Sequence, residues 1–398
     1  MTRRRPPFRK HEQGGVALLA LLGLLALVGI NFFIVQLNST RANSGRSASE
    51  ENHLAIAKQA LIGDAISLVD LSDDNLGRLR VPDIGVEIGG APSEGNAGAN
   101  NNLLLSIIGK FPWRTLATGP LRDRHTECLW LVTSGRFKRT AAPPSAPINW
   151  DTLGQIDVID GQNNLIATNL AALLIAPGPA LDGQDRALAD QAYRQCGGNY
   201  DARNYLDSFD PANAIAGARN YFPGSTNNRL APDTNNKRFV LAETAHFNDH
   251  FLFVTTDDLF TPLIRRSDFV VAVRNLLDSV VAQNPASSPN RGTDNVVCGT
   301  QFCTNWREML FLAQLPAASP IIIDGMPTAN CNKVLIFSGR RAGLQQRTTA
   351  ADRANINNYL EAPNAASFNA PVALDTVFSG VSQFNWRNPG ADILRCLP

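Results

Sequence analysis

Six cysteines are the side chains of this sequence whose chemistry is easiest to recognise. They are Cys128, Cys196, Cys298, Cys303, Cys331 and Cys396. An even number of cysteines in an exported chain favours disulfide bonds, for which six cysteines allow fifteen connectivities. Cys298 and Cys303 are close enough to close a small loop, Cys331 with Cys396 would tie down the C-terminus, and Cys128 with Cys196 would remain. A zinc site is the alternative, but Cys-x4-Cys lacks the C-x2-C spacing of structural zinc sites.

Two histidines four residues apart are the other candidates for metal chemistry. His246 and His250 would share one face if their segment were helical. Residues 246–250 instead have the pattern of a turn before a strand that begins at Phe251, and a turn does not bring the two imidazoles together. No acidic loop has the spacing of an EF-hand. We therefore predict no metal and no other cofactor, with His246 and His250 as the residues that a metal would use.

The familiar catalytic motifs are missing from the sequence. It contains no Gly-x-Ser-x-Gly, no P-loop and no G-x-G-x-x-G, and no pair of carboxylates stands out from its scattered acids. Its 36 basic and 35 acidic residues also argue against a nucleic-acid-binding protein, which would carry a basic excess. We predict that the protein is not an enzyme and has no nucleic-acid partner.

The chain begins with a short basic segment followed by a long apolar one. Residues 1–15 hold five cations against one acid, so that removing them subtracts four from the net charge of +1 and leaves −3. Residues 16–37 are almost wholly aliphatic or aromatic, and as a helix they would span roughly 33 Å, enough for a bilayer core of about 30 Å. A removable secretory signal has a shorter apolar run. The positive-inside rule then keeps residues 1–15 cytoplasmic and exports the chain beyond about residue 40.

The junction between the basic leader and the apolar run has a specific form. The leader ends in Gly14-Gly15, and the apolar segment begins at Val16 without a spacer. This junction resembles the N-terminus of type IV prepilins. The resemblance implies cleavage after Gly15 by a prepilin peptidase, N-methylation of Val16, and retention of the apolar helix as a membrane anchor and filament core.

The fifth residue of the mature chain departs from the major pilins. That class usually carries a glutamate there, whereas this chain has Ala20. Minor pseudopilins of the K type in type II secretion also lack the glutamate and are thought to lie at the filament tip. The resemblance implies a minor pilin or pseudopilin, anchored in the inner membrane with its C-terminal domain in the periplasm, whose partners are other minor pilins or pseudopilins and the prepilin peptidase. A signal-anchored periplasmic enzyme or metal-binding protein, or a tip adhesin, stays open as an alternative, as do the choice between pilus and secretion system and the binding of calcium.

Beyond the membrane segment, the pattern predicts a helix followed by an α+β domain. Residues 38–70 continue the helix, loosened over 42–50, with the apolar stripe of an amphipathic helix at Leu54, Ala57, Leu61, Ala65 and Leu68. Residues 71–398 form a large, loop-rich exported domain with a possible seam near 282–296. Strands are predicted over 129–133, 155–160, 164–167, 171–175, 239–241, 251–255, 321–324 and 334–338, and helices over 187–194, 266–281 and 304–313.

One aromatic block extends the resemblance past the N-terminus. Residues 109–116 read GKFPWRTL, and residues 129–133 read LWLVT. Together they resemble a block found after the long helix in a group of large bacterial pilin-like proteins, although Leu131 and Thr133 differ from its Tyr and Val. Read physically, the predicted core anchors are Phe111, Trp113, Leu116 and Trp130, and a functional role for the aromatic residues is not expected.

Overall fold

The computed structural model describes most of the chain after residue 46. The described residues are 47–68, 70–71, 73–85, 94–98, 106–139, 146–162, 164–187, 195–196, 198–207, 221–222, 237–243, 247–286, 295–369 and 377–397. The chain divides into two compact units, Met1–Asn52 and His53–Pro398. Only residues 47–52 of the first unit are described, and they are helical. The predicted leader and membrane segment therefore lie outside the described residues.

The second unit mixes helices and strands, which confirms an α+β fold. Its strands are β1 (Ser106–Lys110), β2 (Trp130–Thr133), β3 (Ile156–Ile159), β4 (Leu165–Leu170), β5 (Ala172–Ala176), β6 (Tyr221–Phe222), β7 (Lys237–Val240), β8 (His250–Val254), β9 (Leu310–Ser319), β10 (Ile322–Ile323), β11 (Met326–Pro327), β12 (Cys331–Phe337), β13 (Ser379–Gly380) and β14 (Ile393–Leu397). Its helices are α1, which ends at residue 66, and α2 (Thr256–Leu263), α3 (Ser267–Gln283), α4 (Gln301–Trp306), α5 (Ala350–Ala354) and α6 (Ala362–Asn369). Short 3-10 turns lie at Gly135–Phe137, Ala202–Asn204, Arg307–Met309 and Ile356–Asn358.

Helix α1 joins the core through the stripe that its sequence predicts. Leu54 is 5% exposed, and Ala57, Leu61 and Ala65 are fully buried. Small residues at two of these positions let the helix lie close to the residues beneath it. On the polar side, Asp64 accepts hydrogen bonds from Arg80 at 2.9 and 3.0 Å. The predicted amphipathic helix is confirmed over 53–66.

A five-stranded antiparallel sheet lies at the centre of the unit, in the order β6-β1-β2-β5-β8. Alternate side chains of β2 face opposite sides: Leu131 belongs to the larger core with α1, and Trp130 and Val132 belong to a second core. The second core is closed by a three-stranded sheet, β4-β3-β7, whose β3 and β7 run parallel. Because both faces of the central sheet are covered, Trp130 has no exposed surface and Phe111 only 2%, as predicted for core anchors.

The larger core is completed by α2, α3 and a second antiparallel sheet, β14-β12-β9. Helix α3 buries Phe269, Val273, Leu276 and Val280, in agreement with the predicted helix, and ends at Asn284, whose φ of 43° is left-handed. The predicted helix over 304–313 is wrong beyond residue 309. Residues 310–313 belong to β9, are buried, and pair with β12. The prediction failed because periodicity alone does not distinguish a short buried strand from a helix.

The remaining predictions of secondary structure are mostly confirmed. The eight predicted strands coincide within a few residues with β2, β3, β4, β5, β7, β8, β10 and β12. A small sheet, β11-β10-β13, borders the C-terminal part. The helix predicted over 187–194 falls outside the described residues except for Ala187, which is not helical.

Candidate functional site

The residues of the predicted processing site lie outside the described part of the chain. Gly15, Val16 and Ala20 belong to this group, as does the apolar segment 16–37. No helix among the described residues is long and apolar enough to cross a membrane. The structure therefore bears on function through the second unit alone.

That unit contains three disulfides, two of which connect distant parts of the chain. Cys128 pairs with Cys196, Cys298 with Cys303, and Cys331 with Cys396, at Cα separations of 5.4, 5.3 and 5.3 Å. The prediction that these cysteines form disulfides is confirmed, and the connectivity, which the sequence left open, is the one that the spacing suggested. The first and third bonds close loops with sequence separations of 68 and 65, for which the chain-entropy model gives about 4 kcal/mol each, against about 2 kcal/mol for the short loop.

The histidine candidates do not form a metal site in the described residues. His246 is outside them, while His250 begins β8 with Nε2 at 3.7 Å from Oε1 of Glu243. A surface cleft of about 250 Å³ lies beside them, lined also by Arg124, Phe247 and Asn248. No group of three His, Cys, Asp or Glu side chains in the described part of the chain is arranged to hold a metal ion.

Two aspartates next to this cleft form an acidic pair in which Asp249 is buried and Asp207 is half-buried. Oδ2 of Asp207 accepts the backbone N–H groups of Asn248 and Asp249 at 2.6 and 3.2 Å. Oδ2 of Asp249 accepts the N–H of Asp207 at 2.9 Å. Burial, reinforced by the charge of Asp207, raises the pKa of Asp249 well above its usual value. These reciprocal hydrogen bonds join Asp207 to the residues directly before β8.

A second ionic cluster lies in the larger core. Arg347 is 1% exposed and Asp151 is 2% exposed, and Nη1 of Arg347 lies 2.9 Å from Oδ2 of Asp151. Arg353 donates to the Asp151 carbonyl at 2.6 Å and to the Arg347 carbonyl at 2.9 Å. Arg347 also lies over the ring of Tyr359, 4.2 Å from its centroid. These contacts join the loop before β3 to the segment between β12 and α6, and their role is structural.

A third cluster surrounds a buried lysine at the end of β1. Lys110 and Asp83 are each 1% exposed. The Nζ atom of Lys110 lies 4.6 Å from the ring centroid of Tyr200 and 5.2 Å from that of Tyr205, within the range of cation–π interactions. Burial lowers the pKa of Lys110 to about 8, and the negative charges of Asp83, Glu127 and Glu94 oppose this shift.

The carboxylate of this cluster accepts several hydrogen bonds. Oδ1 of Asp83 accepts the N–H of Gly85 at 3.0 Å, and Oδ2 accepts the N–H of Gly95 at 2.6 Å and the hydroxyl of Tyr200 at 2.8 Å. Burial nevertheless raises the pKa of Asp83. This cluster of described residues brings together an amine, a carboxyl group and a phenol from three distant parts of the chain.

A groove along α3 forms another cleft in the described residues. It has a volume of about 380 Å³ and a floor that includes Leu71, Leu276 and Phe302. Asp70 and Asp268 are its charged lining residues. The groove brings together no nucleophile and base, and it adds no support for an enzymatic function.

Sequence reasoning missed the clusters around Asp83 and Asp151. Lys110 stands in the quoted aromatic block, directly after the apolar run of β1, and a lysine inside such a run is the signal that could have identified it. Nothing in the sequence brings Asp83 or Tyr200 to it, since that depends on the path of the chain. Comparisons with protein families, with curated proteins and with solved structures give no match.

Proposed function

We propose that the protein is a minor pilin or pseudopilin, a non-enzymatic subunit of a type IV pilus or type II secretion pseudopilus. The observation that carries the proposal is the junction at Gly15 and Val16, where a basic leader meets a 22-residue apolar run without a spacer. Such a junction is expected where residues 1–15 are removed by cleavage and the apolar helix is retained. The chain is then anchored in the inner membrane before assembly, with its C-terminal domain in the periplasm.

Two features of the second unit support this proposal. The residues of α1 at 54–65 contribute a buried stripe to a core that contains an antiparallel sheet, which suits a subunit that carries a globular domain on an N-terminal helix. Its three disulfides suit an oxidising compartment.

The proposed place in the filament is at or near its tip, where the subunit would act in assembly or recognition. An ionised carboxylate in the apolar helix would cost at least about 2.5 kcal/mol on insertion scales, and Ala20 avoids that cost. A subunit without the glutamate also lacks the partner that this residue is understood to provide for the terminal amine of a neighbour. We therefore expect few copies per filament, located at one end.

Mass spectrometry of the mature N-terminus tests the processing step. In cells that contain the prepilin peptidase, we expect residues 1–15 to be absent and Val16 to carry a methyl group. Gly15→Val should block cleavage, whereas the matched variant Gly14→Val should still be processed. A wild-type chain that keeps its leader in the presence of the peptidase would contradict the proposal.

Labelling of assembled filaments tests the location. An epitope placed on the exported domain should be detected at one end of each filament, and deletion of the gene should reduce the number of filaments. Uniform labelling along the filament would contradict a location at the tip while leaving the processing result intact.

A further inference from the structure

We propose that Lys110 and Asp83 become joined by an intramolecular amide bond between Nζ of the lysine and Cγ of the aspartate. This inference concerns a covalent modification of the folded domain and is independent of the proposed function. It rests on the backbone pairing of the two residues, on the donors around the carboxyl group, and on their shared burial.

The backbone places the two side chains next to each other. Lys110 and Asp83 form an antiparallel bridge in which the N–H of each donates to the carbonyl of the other, both at 2.9 Å. Directly opposed residues of such a pair project to the same face, with Cβ atoms about 5 Å apart. The long stem of Lys110 can therefore reach the carboxyl carbon of Asp83 without a change in the backbone.

Tyr200 contacts both of the side chains that would react. Nζ of Lys110 lies over the ring of Tyr200, and the hydroxyl of the same tyrosine donates to Oδ2 of Asp83 at 2.8 Å. One side chain thus contacts both partners.

The hydrogen bonds around Asp83 suit the attack of an amine on its carboxyl carbon. The N–H of Gly85, at 3.0 Å from Oδ1, would stabilise the negative charge that develops on that oxygen. The Tyr200 hydroxyl and the N–H of Gly95 both donate to Oδ2, which is the oxygen that departs. Tyr200 is placed to supply a proton to this leaving oxygen.

Burial favours the neutral forms that react. It lowers the pKa of Lys110 to about 8, so roughly a tenth of the amine is neutral at pH 7. It also raises the pKa of the Asp83 carboxyl. Two charges buried together carry a large desolvation cost, and an amide replaces both of them with a neutral group that still accepts the hydrogen bond from Gly85.

The reaction is a condensation that needs no other reactant. The neutral amine of Lys110 attacks Cγ of the protonated carboxyl group, and a new N–Cγ bond forms. The Cγ–Oδ2 bond breaks, and Oδ2 leaves as water with the carboxyl proton and one proton from the amine. Tyr200 donates its own proton to Oδ2 and regains one from the nitrogen, so it is unchanged at the end.

Peptide mapping of the wild-type full-length protein tests the proposal directly. Arg80, Lys110 and Arg114 are three consecutive sites for cleavage by trypsin, with no other Lys or Arg between them. Without the bond, trypsin releases a peptide of residues 81–110. With the bond, the modified Lys110 is not cleaved, and the peptide spans 81–114 with a mass lower by one water molecule.

A second digestion locates the bond. A glutamyl endopeptidase cuts after Glu87 and Glu94, which separates residues 81–87 from 95–114 in a linear chain. In the bonded protein these two fragments stay together after denaturation and reduction of the disulfides. Separate fragments, together with a tryptic peptide of residues 81–110 at its unmodified mass, would overturn the proposal.

Another lysine and three variants serve as controls. Lys138 is also 1% exposed, and because its backbone bridge is to Leu79, which has no carboxyl group, it should remain unmodified. Lys110→Arg should abolish the bond, and Asp83→Asn should still form it with loss of ammonia in place of water. Tyr200→Phe keeps the ring and should slow bond formation. An equal yield in Tyr200→Phe would overturn the assigned role of the hydroxyl.

Discussion

Asp392 is buried just before β14 and provides the sharpest test of the electrostatics of this fold. It has no exposed surface, and its Oδ2 accepts the N–H of Glu361 at 2.9 Å and the Nδ2 group of Asn364 at 2.7 Å. Burial raises its pKa from 3.8 to about 6, despite these donors. We predict that Asp392→Asn makes the protein more stable at pH 7.

The magnitude follows from the two pKa values of the carboxyl group. Because the pKa of Asp392 is raised in the folded state, its contribution to stability is fully present below pH 3.8 and is lost as the pH rises through about 6. A shift of about two pKa units corresponds to a loss of about 3 kcal/mol by pH 7. The amide side chain of the Asp392→Asn variant does not ionise, and its carbonyl can accept both hydrogen bonds, so the variant should not show this loss.

Denaturant unfolding of the full-length protein, in detergent and with its disulfides intact, measures the effect at pH 4 and pH 7. We expect the variant and the wild type to differ little at pH 4, and the variant to be more stable by up to about 3 kcal/mol at pH 7. A variant that is equally destabilised at both pH values would refute the reasoning, since it would mean that the carboxylate is needed for its hydrogen bonds.

Asp352 provides a control of opposite sign. It is the third residue of a capping box at the start of α5, where its carboxylate accepts the N–H of Thr349 at 2.8 Å. This hydrogen bond and that of the Thr349 hydroxyl lower its pKa, so its contribution is present above its unfolded pKa and is lost as the pH falls. Asp352→Asn should therefore reduce stability at pH 7 and have less effect at acid pH.

Three further variants test other parts of the structure. Arg347→Met removes the buried cation beside Asp151 and leaves Arg341, at 3.1 Å from the other carboxylate oxygen, so it should lower the free energy of unfolding by about 3 kcal/mol, the lower end of the range for a broken buried pair; a loss below about 1 kcal/mol would show that the pair is dispensable. Gly154→Ala would place a Cβ 1.8 Å from the backbone oxygen of Leu170, so we expect a lower melting temperature, and an unchanged one would contradict this close approach. Burial lowers the pKa of Lys138 to about 7, so stability should rise with pH between about 7 and 10 in the wild type. Lys138→Met should reduce that rise in a pH series of unfolding experiments, most clearly between about pH 7 and 8, because an unmodified Lys110, with its pKa lowered to about 8, also contributes at higher pH. An unchanged rise would assign it to another group.

Local patterns in the sequence are sufficient to predict much of the secondary structure. The stripe Leu54, Ala57, Leu61 and Ala65 predicts the buried face of α1 because a helix repeats every 3.6 residues. Short apolar runs likewise predict β2, β5 and β8 of the central sheet, whereas β1 and β6 are not predicted. The exception, residues 310–313, shows the limit of this reasoning, since only pairing with β12 makes that run a strand.

The clusters of buried charge could not be predicted in this way, because their members are far apart in the chain. Asp151 and Arg347 are 196 residues apart, and Asp83 and Tyr200 are 117 apart. An ionisable residue in a polar loop normally remains in solvent, so each of these residues would be assigned to the surface from its neighbours alone. Their burial depends on which loops the sheets bring together.

The two proposals likewise differ in whether their residues are adjacent in the chain or brought together by the fold. The proposal of a pilin-like subunit depends on a contiguous segment, the junction at Gly15 and Val16, and can be read directly from the sequence. The proposal of an amide bond depends on a backbone bridge between Asp83 and Lys110 and on a tyrosine from another loop. Processing at Gly15 and bond formation at Lys110 can therefore fail independently, and the two mass-spectrometric experiments distinguish these outcomes in a single preparation of the protein.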